Sequence, residues 1–144
     1  MITLASVRRS AAAPPAAFFA RWIDHATWSE WSPDTEWVRV DGPVRLGAHG
    51  ILKPKGGPRT PFTISELETD RVYTDVSRVP GARLTFRHTA EPSAEGSALS
   101  VEVTLDGPLA WLWVRTAFSG FERSAIEDLD RLIAVMEMPA SSAR

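Results

Sequence analysis

The stretch that decides the fold is residues 109–137, LAWLWVRTAFSGFERSAIEDLDRLIAVME. Its large apolar residues recur every three or four positions, and the charged residues fall largely on the other faces. This spacing predicts one amphipathic helix, because residues three and four apart share a helix face. At about 1.5 Å of rise per residue, the helix would span roughly 43 Å. A stripe of that length cannot be buried on a flat sheet, so we expect a sheet that curls around it.

The sequence before this helix alternates in short segments that are separated by turns rich in glycine, proline and aspartate. Connections this short favour hairpins, and therefore an antiparallel sheet. In the last two segments apolar and polar residues alternate, which predicts a sheet with one buried and one solvated face. The predicted strands are residues 2–9, 35–41, 46–54, 60–68, 71–79, 83–91 and 97–106.

Two short helices are predicted between the first two strands. Pro14 and Pro15 suit the first turn of a helix that continues to Trp22. Asp24 is placed to cap a second short helix, which Ser32-Pro33 would end. The predicted class is therefore α+β, with a curved antiparallel seven-stranded sheet around a long C-terminal helix and two short helices near the N-terminus. We expect residues 1–144 to form a single domain.

Composition limits the possible functions. Of the 144 residues, 44% are apolar and 24% are charged, as in ordinary globular proteins, and none is cysteine, which excludes disulfides and thiolate chemistry. The formal net charge is −2 and no basic block occurs, so we expect no nucleic-acid partner. Arg8 and Arg9 follow a short apolar stretch, unlike the order in a secretory signal. With no apolar run of about 20 residues, we expect no membrane span and a cytoplasmic location.

Several ordered stretches resemble those of one superfamily. They are FFARWID at 18–24, WSEW at 28–31, GAHG at 47–50, LKPKGGP at 52–58, FRH at 86–88, Gly96 and DGPL at 106–109. Over residues 2–137 the chain resembles the START-like or SRPBCC superfamily, also called helix-grip or birch-pollen-allergen-like. Within it, the chain looks like the bacterial polyketide cyclase/dehydrase and lipid-transport group. The superfamily contains carriers, receptors and enzymes, so the resemblance implies the fold and a cavity under the helix without selecting one function.

Three residues are candidates for chemistry in such a cavity. Alternation places His88 inward, where it would act as a general acid/base or donate a ring N–H to the backbone. His49 is a second candidate, whereas His25 is expected on the surface. Arg78, beside the Pro80-Gly81 turn, is expected either to point inward and bind a carboxylate or phenolate oxygen, or to be solvated. Nothing in the spacing of the histidines and carboxylates demands a metal ion, and no cofactor is predicted.

Aromatic and aliphatic residues are the candidates for ligand contact. Trp28 and Trp31 are three positions apart and share a helix face, where they would stack on a ligand or pack in the core. Trp111 and Trp113 lie about 200° apart on a helix, so at most one faces inward, and an exposed one favours a partner surface such as a homodimer contact. The predicted cavity lining is Phe62, Ile64, Phe86, Leu99, Val101, Val114, Phe118 and Phe121.

Three functions fit these expectations. The first is a binding protein for a small hydrophobic or aromatic molecule. The second is an aromatase/cyclase-type enzyme that acts on a polyketide-like carbonyl compound by acid/base catalysis, with His88 or His49 moving protons and Arg78 stabilising an enolate. The third is a structural or partner-binding protein whose cavity is filled by its own side chains. The sequence leaves open whether the protein is an enzyme.

Overall fold

The computed structural model describes residues 1–116 and 120–137. Its seven strands form one antiparallel sheet in the order β1-β7-β6-β5-β4-β3-β2. Strands β2 to β7 follow one another as hairpins, and β1 pairs with β7. The predicted α+β helix-grip fold is confirmed. The strands are β1 (Ile2–Ala11), β2 (Thr35–Val40), β3 (His49–Pro54), β4 (Thr60–Glu68), β5 (Val72–Val79), β6 (Ala82–Ser93) and β7 (Gly96–Asp106).

The helices differ from the prediction in two respects. Between β1 and β2 lie α1 (Pro15–Trp22) and a 3-10 helix (His25–Glu30), and the side chain of Asp24 does not cap the latter. Instead, the main-chain carbonyl of Asp24 accepts a hydrogen bond from the backbone N–H of Thr27 at 3.0 Å. The single helix expected over 109–137 is represented by two, α2 (Ala110–Thr116) and α3 (Phe121–Met136). Gly120 lies before α3 with ψ of 7°, outside the helical range.

The register of the sheet decides which side chains meet on its inner face. The Pro80-Gly81 turn places Val79 opposite Ala82, so that every pair across the β5–β6 hairpin is fixed. Tyr73 then lies opposite His88, and Asp75 lies opposite Phe86. Irregular pairing interrupts the β1–β7, β2–β3 and β4–β5 ladders, and such bulges bend a sheet.

Helix α3 joins the two edges of the sheet. At the β1 edge, Arg9 forms an ion pair with Asp130 at 2.8 Å, and the backbone N–H of Ala12 donates to Glu137 at 3.0 Å. Near the start of β2, the hydroxyl of Ser32 donates to Asp128 at 2.9 Å. The apolar side of α3 is buried between these contacts. The helix therefore spans the opening that the curved sheet leaves between its edges.

Helix α2 is fixed to the end of the β5–β6 hairpin. The backbone N–H of Leu109 donates to the carbonyl of Gly81 at 3.0 Å, and the indole of Trp113 donates to the carbonyl of Pro80 at 2.7 Å. Gly81 has a φ of +73°, and a side chain there would approach Leu109 to 2.5 Å. Glycine at this position therefore allows both the turn and the close contact with the start of α2.

Leu132→Ala should lower the free energy of unfolding by about 2–5 kcal/mol, because Leu132 on α3 is fully buried and its truncation leaves a cavity. Denaturant unfolding monitored by tryptophan fluorescence measures this value. The matched control is Leu46→Ala, since Leu46 is an exposed leucine. Equal values for the two variants would contradict the packing of α3 on the sheet.

Candidate functional site

A chain of three polar side chains is buried on the inner face of the sheet. Nε2 of His25 lies 2.7 Å from the hydroxyl oxygen of Tyr73, and that hydroxyl donates to Oδ2 of Asp75 at 3.0 Å. All three side chains are almost completely buried, Tyr73 and Asp75 with exposed fractions of 0% and 4%. Burying polar groups to this extent is costly unless they are hydrogen-bonded to each other. We call these residues, together with His88, the polar cluster.

His88 joins the cluster through the backbone of Tyr73. Its Nδ1 lies 3.2 Å from the main-chain carbonyl oxygen of Tyr73. Since a carbonyl oxygen only accepts, Nδ1 carries the proton, and Nε2 of the neutral ring is left as a base. The ring of His88 also contacts the rings of Trp22 and Tyr73, with centroids 5.3 and 5.6 Å apart.

The local sequence explains how these residues come together. Tyr73 and Asp75 are two apart on β5, so their side chains share a face, and the hairpin register places His88 beside Tyr73. His25 is the first residue of the 3-10 helix, which packs its ring against Trp28 and Phe62 at centroid distances of 4.9 and 5.9 Å. The cluster is therefore enclosed by aromatic rings from α1, the 3-10 helix and the sheet.

Burial shifts the pKa of every member of the polar cluster. Desolvation raises the pKa of Asp75 from 3.8 to about 7, against the opposing effect of its hydrogen bond from Tyr73. Desolvation also raises the pKa of Tyr73 well above its usual value of 10.0, and the neighbouring Asp75 adds to this shift. The same cause lowers the pKa of His25 and of His88 from 6.5 to about 4. At neutral pH both histidines are therefore neutral, and Asp75 is close to half-protonated.

The direction of the hydrogen bonds in this chain depends on whether Asp75 is protonated and on which ring nitrogen of His25 carries its proton. When Asp75 is ionised, Tyr73 donates to it and Nε2–H of His25 donates to Tyr73. When Asp75 is protonated, it donates to Tyr73, and the Tyr73 hydroxyl is then free to donate to an unprotonated Nε2 of His25. A carboxyl with a pKa near the working pH is also the kind of group that serves in general acid/base chemistry.

Two of the three predicted catalytic residues lie on the wrong face of the sheet. His88 is buried on the inner face, as alternation predicts. The inward position expected for His49 is wrong, and of the two alternatives for Arg78 the solvated one holds. His49 pairs with Thr63 on the outer face, is exposed, and has its Nδ1 3.0 Å from the Thr63 hydroxyl. Arg78 is exposed because the inner face of β5 carries Tyr73 and Asp75, and Arg78 lies an odd number of positions from both.

The residues predicted to contact a ligand fall into two groups. Trp28 and Trp31 are buried, and Trp28 donates its indole N–H to the carbonyl of Trp22 at 3.1 Å. Of the predicted lining residues on the sheet, four are buried, namely Phe62, Ile64, Leu99 and Val101. The half-buried residues are Phe86, Val114 and Phe121. Phe118 lies outside the described residues.

Three residues of the polar cluster, His25, Tyr73 and Asp75, were not predicted from the sequence as site residues. His25 was expected on the surface, but only 6% of it is exposed, because the 3-10 helix turns its ring toward Tyr73. Tyr73 and Asp75 carried a usable signal. Once Pro80-Gly81 is taken as the hairpin turn and His88 as inward, counting back along β5 places both residues on the inner face.

The concavities found on the described surface differ in character from the predicted apolar cavity. A groove of about 830 Å³ lies on the outer face of the sheet and is lined mainly by polar and charged side chains. Its arginines include Arg71 and Arg87, which form ion pairs with Glu91 and Glu66. A second concavity, of about 600 Å³, lies along α3 between Gly120 and Glu127. Within residues 1–116 and 120–137, no group of three histidine or carboxylate side chains is arranged to hold a metal ion.

A curved antiparallel sheet closed by C-terminal helices defines the helix-grip class of proteins. The chain belongs to the polyketide cyclase/dehydrase and lipid transport family, whose sequence model matches residues 1–137. No curated protein sequence matches the chain. None of the helices in the described part of the chain is long and apolar enough to cross a membrane.

Solved structures share this fold at low sequence identity. Protein MLL2253 from Mesorhizobium loti is 15% identical, with a TM-score of 0.74 over 92% of this chain and 95% of that one. The crystal structure of Ara h 8.0201 is 14% identical, with a TM-score of 0.66 over 90% of this chain and 96% of that one. DynU16, from the dynemicin biosynthetic locus, is 15% identical, with a TM-score of 0.70 over 93% of this chain and 47% of its own.

Asp75→Asn should change how stability depends on pH. Because the folded-state pKa of Asp75, about 7, lies above its ordinary value of 3.8, ionisation favours the unfolded state. The unfolding free energy of the wild type, minus that of the variant, should therefore fall by roughly 3 kcal/mol as the pH rises from about 4 to about 7. Denaturant unfolding across this range measures the difference, and the contributions of His25 and His88 cancel in it to first order.

The matched control for this experiment is Asp41→Asn, in an exposed turn. Its unfolding free energy should run parallel to that of the wild type over the same pH range. A flat difference between wild type and Asp75→Asn would contradict the burial of an ionisable carboxyl at this position.

Proposed function

We propose that this protein binds a small apolar or aromatic molecule that carries a carbonyl or phenolic oxygen, between the inner face of the sheet and the C-terminal helices. The observation that carries the proposal is the position of Phe86. It lies on the inner face, yet it is only half-buried, and it packs edge-to-face on Phe121 at the start of α3 with centroids 5.8 Å apart. Directly opposite Phe86 in the register lies the buried carboxyl of Asp75.

These neighbours offer a ligand two kinds of contact. Phe86, Val114 and Phe121 supply apolar surface that is not yet fully removed from water, and its burial favours binding by roughly 25 cal/mol per Å² before the costs of association. One strand spacing away, Asp75 would donate to a carbonyl oxygen when protonated or accept from a phenol when ionised. A few polar groups at the end of an apolar site are the usual means of orienting a ligand.

The energetics of the polar cluster support a functional role. Ionising Asp75 in the interior is unfavourable, and perturbed carboxyls of this kind are concentrated at functional sites. The indole N–H of Trp22, whose ring contacts His88, is buried and has no hydrogen-bond partner within the described part of the chain. A ligand oxygen or a water molecule in this region would satisfy it.

Phe86→Trp should weaken the binding of the phenolic probe 2-naphthol by about tenfold, because the larger side chain fills the space through which Asp75 is reached. Isothermal titration calorimetry measures the dissociation constants. Thr85→Trp, on the adjacent residue of β6 and the outer face, is the matched control and should bind as the wild type does. Equal affinities for the two variants, or no saturable binding by the wild type, would overturn the proposal.

A second candidate function, acid/base catalysis on a bound carbonyl compound, is favoured by the pKa of about 7 at Asp75. Here the ionised carboxyl would remove a proton from the carbon next to the carbonyl, and His88 would be a second group for proton transfer. The membership of the family and the fold shared with DynU16 are consistent with such a substrate. His49 and Arg78 have no part in this mechanism, because both lie on the outer face.

Exchange of the α-protons of 2-tetralone for solvent deuterium, followed by NMR, distinguishes the two functions. For an enzyme, the wild type should accelerate exchange, and Asp75→Asn should reduce the acceleration by about 100-fold while binding persists. Acceleration that is equal in the wild type and Asp75→Asn would remove Asp75 from the chemistry. Binding without acceleration would leave the protein as a carrier.

A further inference from the structure

Exposed apolar side chains are concentrated at the start of α2. Among the described residues the exposed large apolar side chains include Leu109, Trp111 and Leu112, which fall within four consecutive positions. Trp111 has 56% of its surface exposed. Scattered exposed leucines need no explanation, whereas a tryptophan between two of them forms a contiguous patch. We call these three residues the tryptophan patch.

The patch is held rigidly by the rest of the protein. On the buried side of the same segment, Ala110 is enclosed and the indole of Trp113 donates to the carbonyl of Pro80. Leu109 begins the segment with its backbone bonded to Gly81. Trp111 and Leu112 therefore point outward from a helix that is already fixed in place, so a partner can bind them without ordering this segment further.

Basic side chains surround the patch. Arg115 follows Trp111 by four residues on α2, and Arg78 and Arg83 flank the β5–β6 turn against which Leu109 packs. Arg83 forms an ion pair with Asp106 at 3.3 Å. Neither Arg78 nor Arg115 forms an ion pair within the described part of the chain. Helix α2 itself carries no acidic residue.

The neighbouring hairpin adds to this charge. Because adjacent strands are antiparallel, the β3–β4 turn lies at the same end of the sheet as the β5–β6 turn. It carries Lys55 and Arg59, while Lys53 beside it lies 3.8 Å from Glu36. Asp34 also lies at this end, and its main-chain carbonyl accepts from the N–H of Lys55. Residues 55–59, 78–83 and 110–116 therefore carry five lysine and arginine residues and no carboxylate.

The geometry points to an anionic lipid surface as the partner, and we propose that the tryptophan patch docks the protein on such a membrane, with its basic rim on the headgroups. Tryptophan beside leucine suits the boundary between headgroups and acyl chains, and nearby arginines are attracted to anionic lipids. A second copy of the chain fits less well. A stable protein interface uses roughly 20–30 residues a side, and a basic rim would face another basic rim. The proposal does not depend on the ligand site under the helices.

The test is co-sedimentation with vesicles of phosphatidylcholine alone and of equal parts phosphatidylcholine and phosphatidylglycerol. The wild type should bind the anionic vesicles, bind the neutral ones more weakly, and lose affinity as salt is added. Trp111→Ser/Leu112→Ser should reduce partitioning into anionic vesicles by roughly tenfold or more. Both side chains are exposed, so the variant should fold, and far-UV circular dichroism checks this.

Two further variants test separately the contribution of a basic residue to vesicle binding and that of an exposed leucine outside the patch. Arg115→Gln should weaken binding to anionic vesicles by several-fold and leave binding to neutral vesicles unchanged, since each surface cation contributes to the attraction. Leu46→Ser, an exposed leucine in the β2–β3 loop at the opposite end of the sheet, is the matched control and should bind as the wild type does.

Three results would overturn the proposal. The first is that the wild type binds neither kind of vesicle, and the second is that it binds both equally. The third is that the protein does not bind vesicles and instead forms a concentration-dependent dimer that Leu112→Ser abolishes. Binding of 2-naphthol by the patch variant provides an independent reading, so loss of docking is distinguishable from loss of the ligand site.

Discussion

A single antiparallel sheet with one apolar face must have that face covered and its two edges joined. In this protein α3 does both. Its buried leucines cover the inner face, and its polar residues bond to β1 at one edge and to Ser32 near β2 at the other. The curvature that the bulges introduce makes this bridge possible, because it brings distant edges within reach of one helix. The interior that results is enclosed on the side of α1 and the 3-10 helix.

The interior is not uniform, and its two halves suggest different roles. Toward α1 and the 3-10 helix, tryptophan, histidine and tyrosine rings pack against one another and surround the polar cluster. Toward α2 and α3, Phe86 and Phe121 are only half-buried. The first half corresponds to the expectation of a core occupied by its own side chains, and the half-buried aromatic pair is where we propose that a ligand binds. Asp75 lies where the two halves meet.

The fold followed from the sequence because its signals are periodic and local. The hairpin turns, the alternation in β6 and β7 and the helical spacing after residue 109 each specify an element without reference to the others. The division of the C-terminal helix into α2 and α3 was harder to predict from the sequence, because a glycine within a helical pattern is often tolerated and Gly120 alone does not predict a break. The two tryptophans of α2 were separable by helix geometry, and Trp111 is the exposed one.

The candidate site was predictable only in part. His88 was placed correctly by alternation, whereas His49 was placed on the wrong face and Arg78 was left between two alternatives, because the register of β3 and β5 was not counted from a turn. His25 depends on a tertiary contact with Tyr73 that no local pattern contains. The candidate site in the structure is therefore centred on the buried carboxyl of Asp75 and its hydrogen-bonded chain, and not on the surface residues His49 and Arg78.

The most direct test of this account is a ¹³C NMR titration of the aspartate carboxyls, with Asp75 assigned from the Asp75→Asn spectrum. In the free protein the account predicts that Asp75 titrates near pH 7, and that saturating 2-naphthol shifts its midpoint, because the ligand oxygen bonds to the carboxyl. A midpoint near the ordinary aspartate value, or one that bound 2-naphthol does not change, would contradict it.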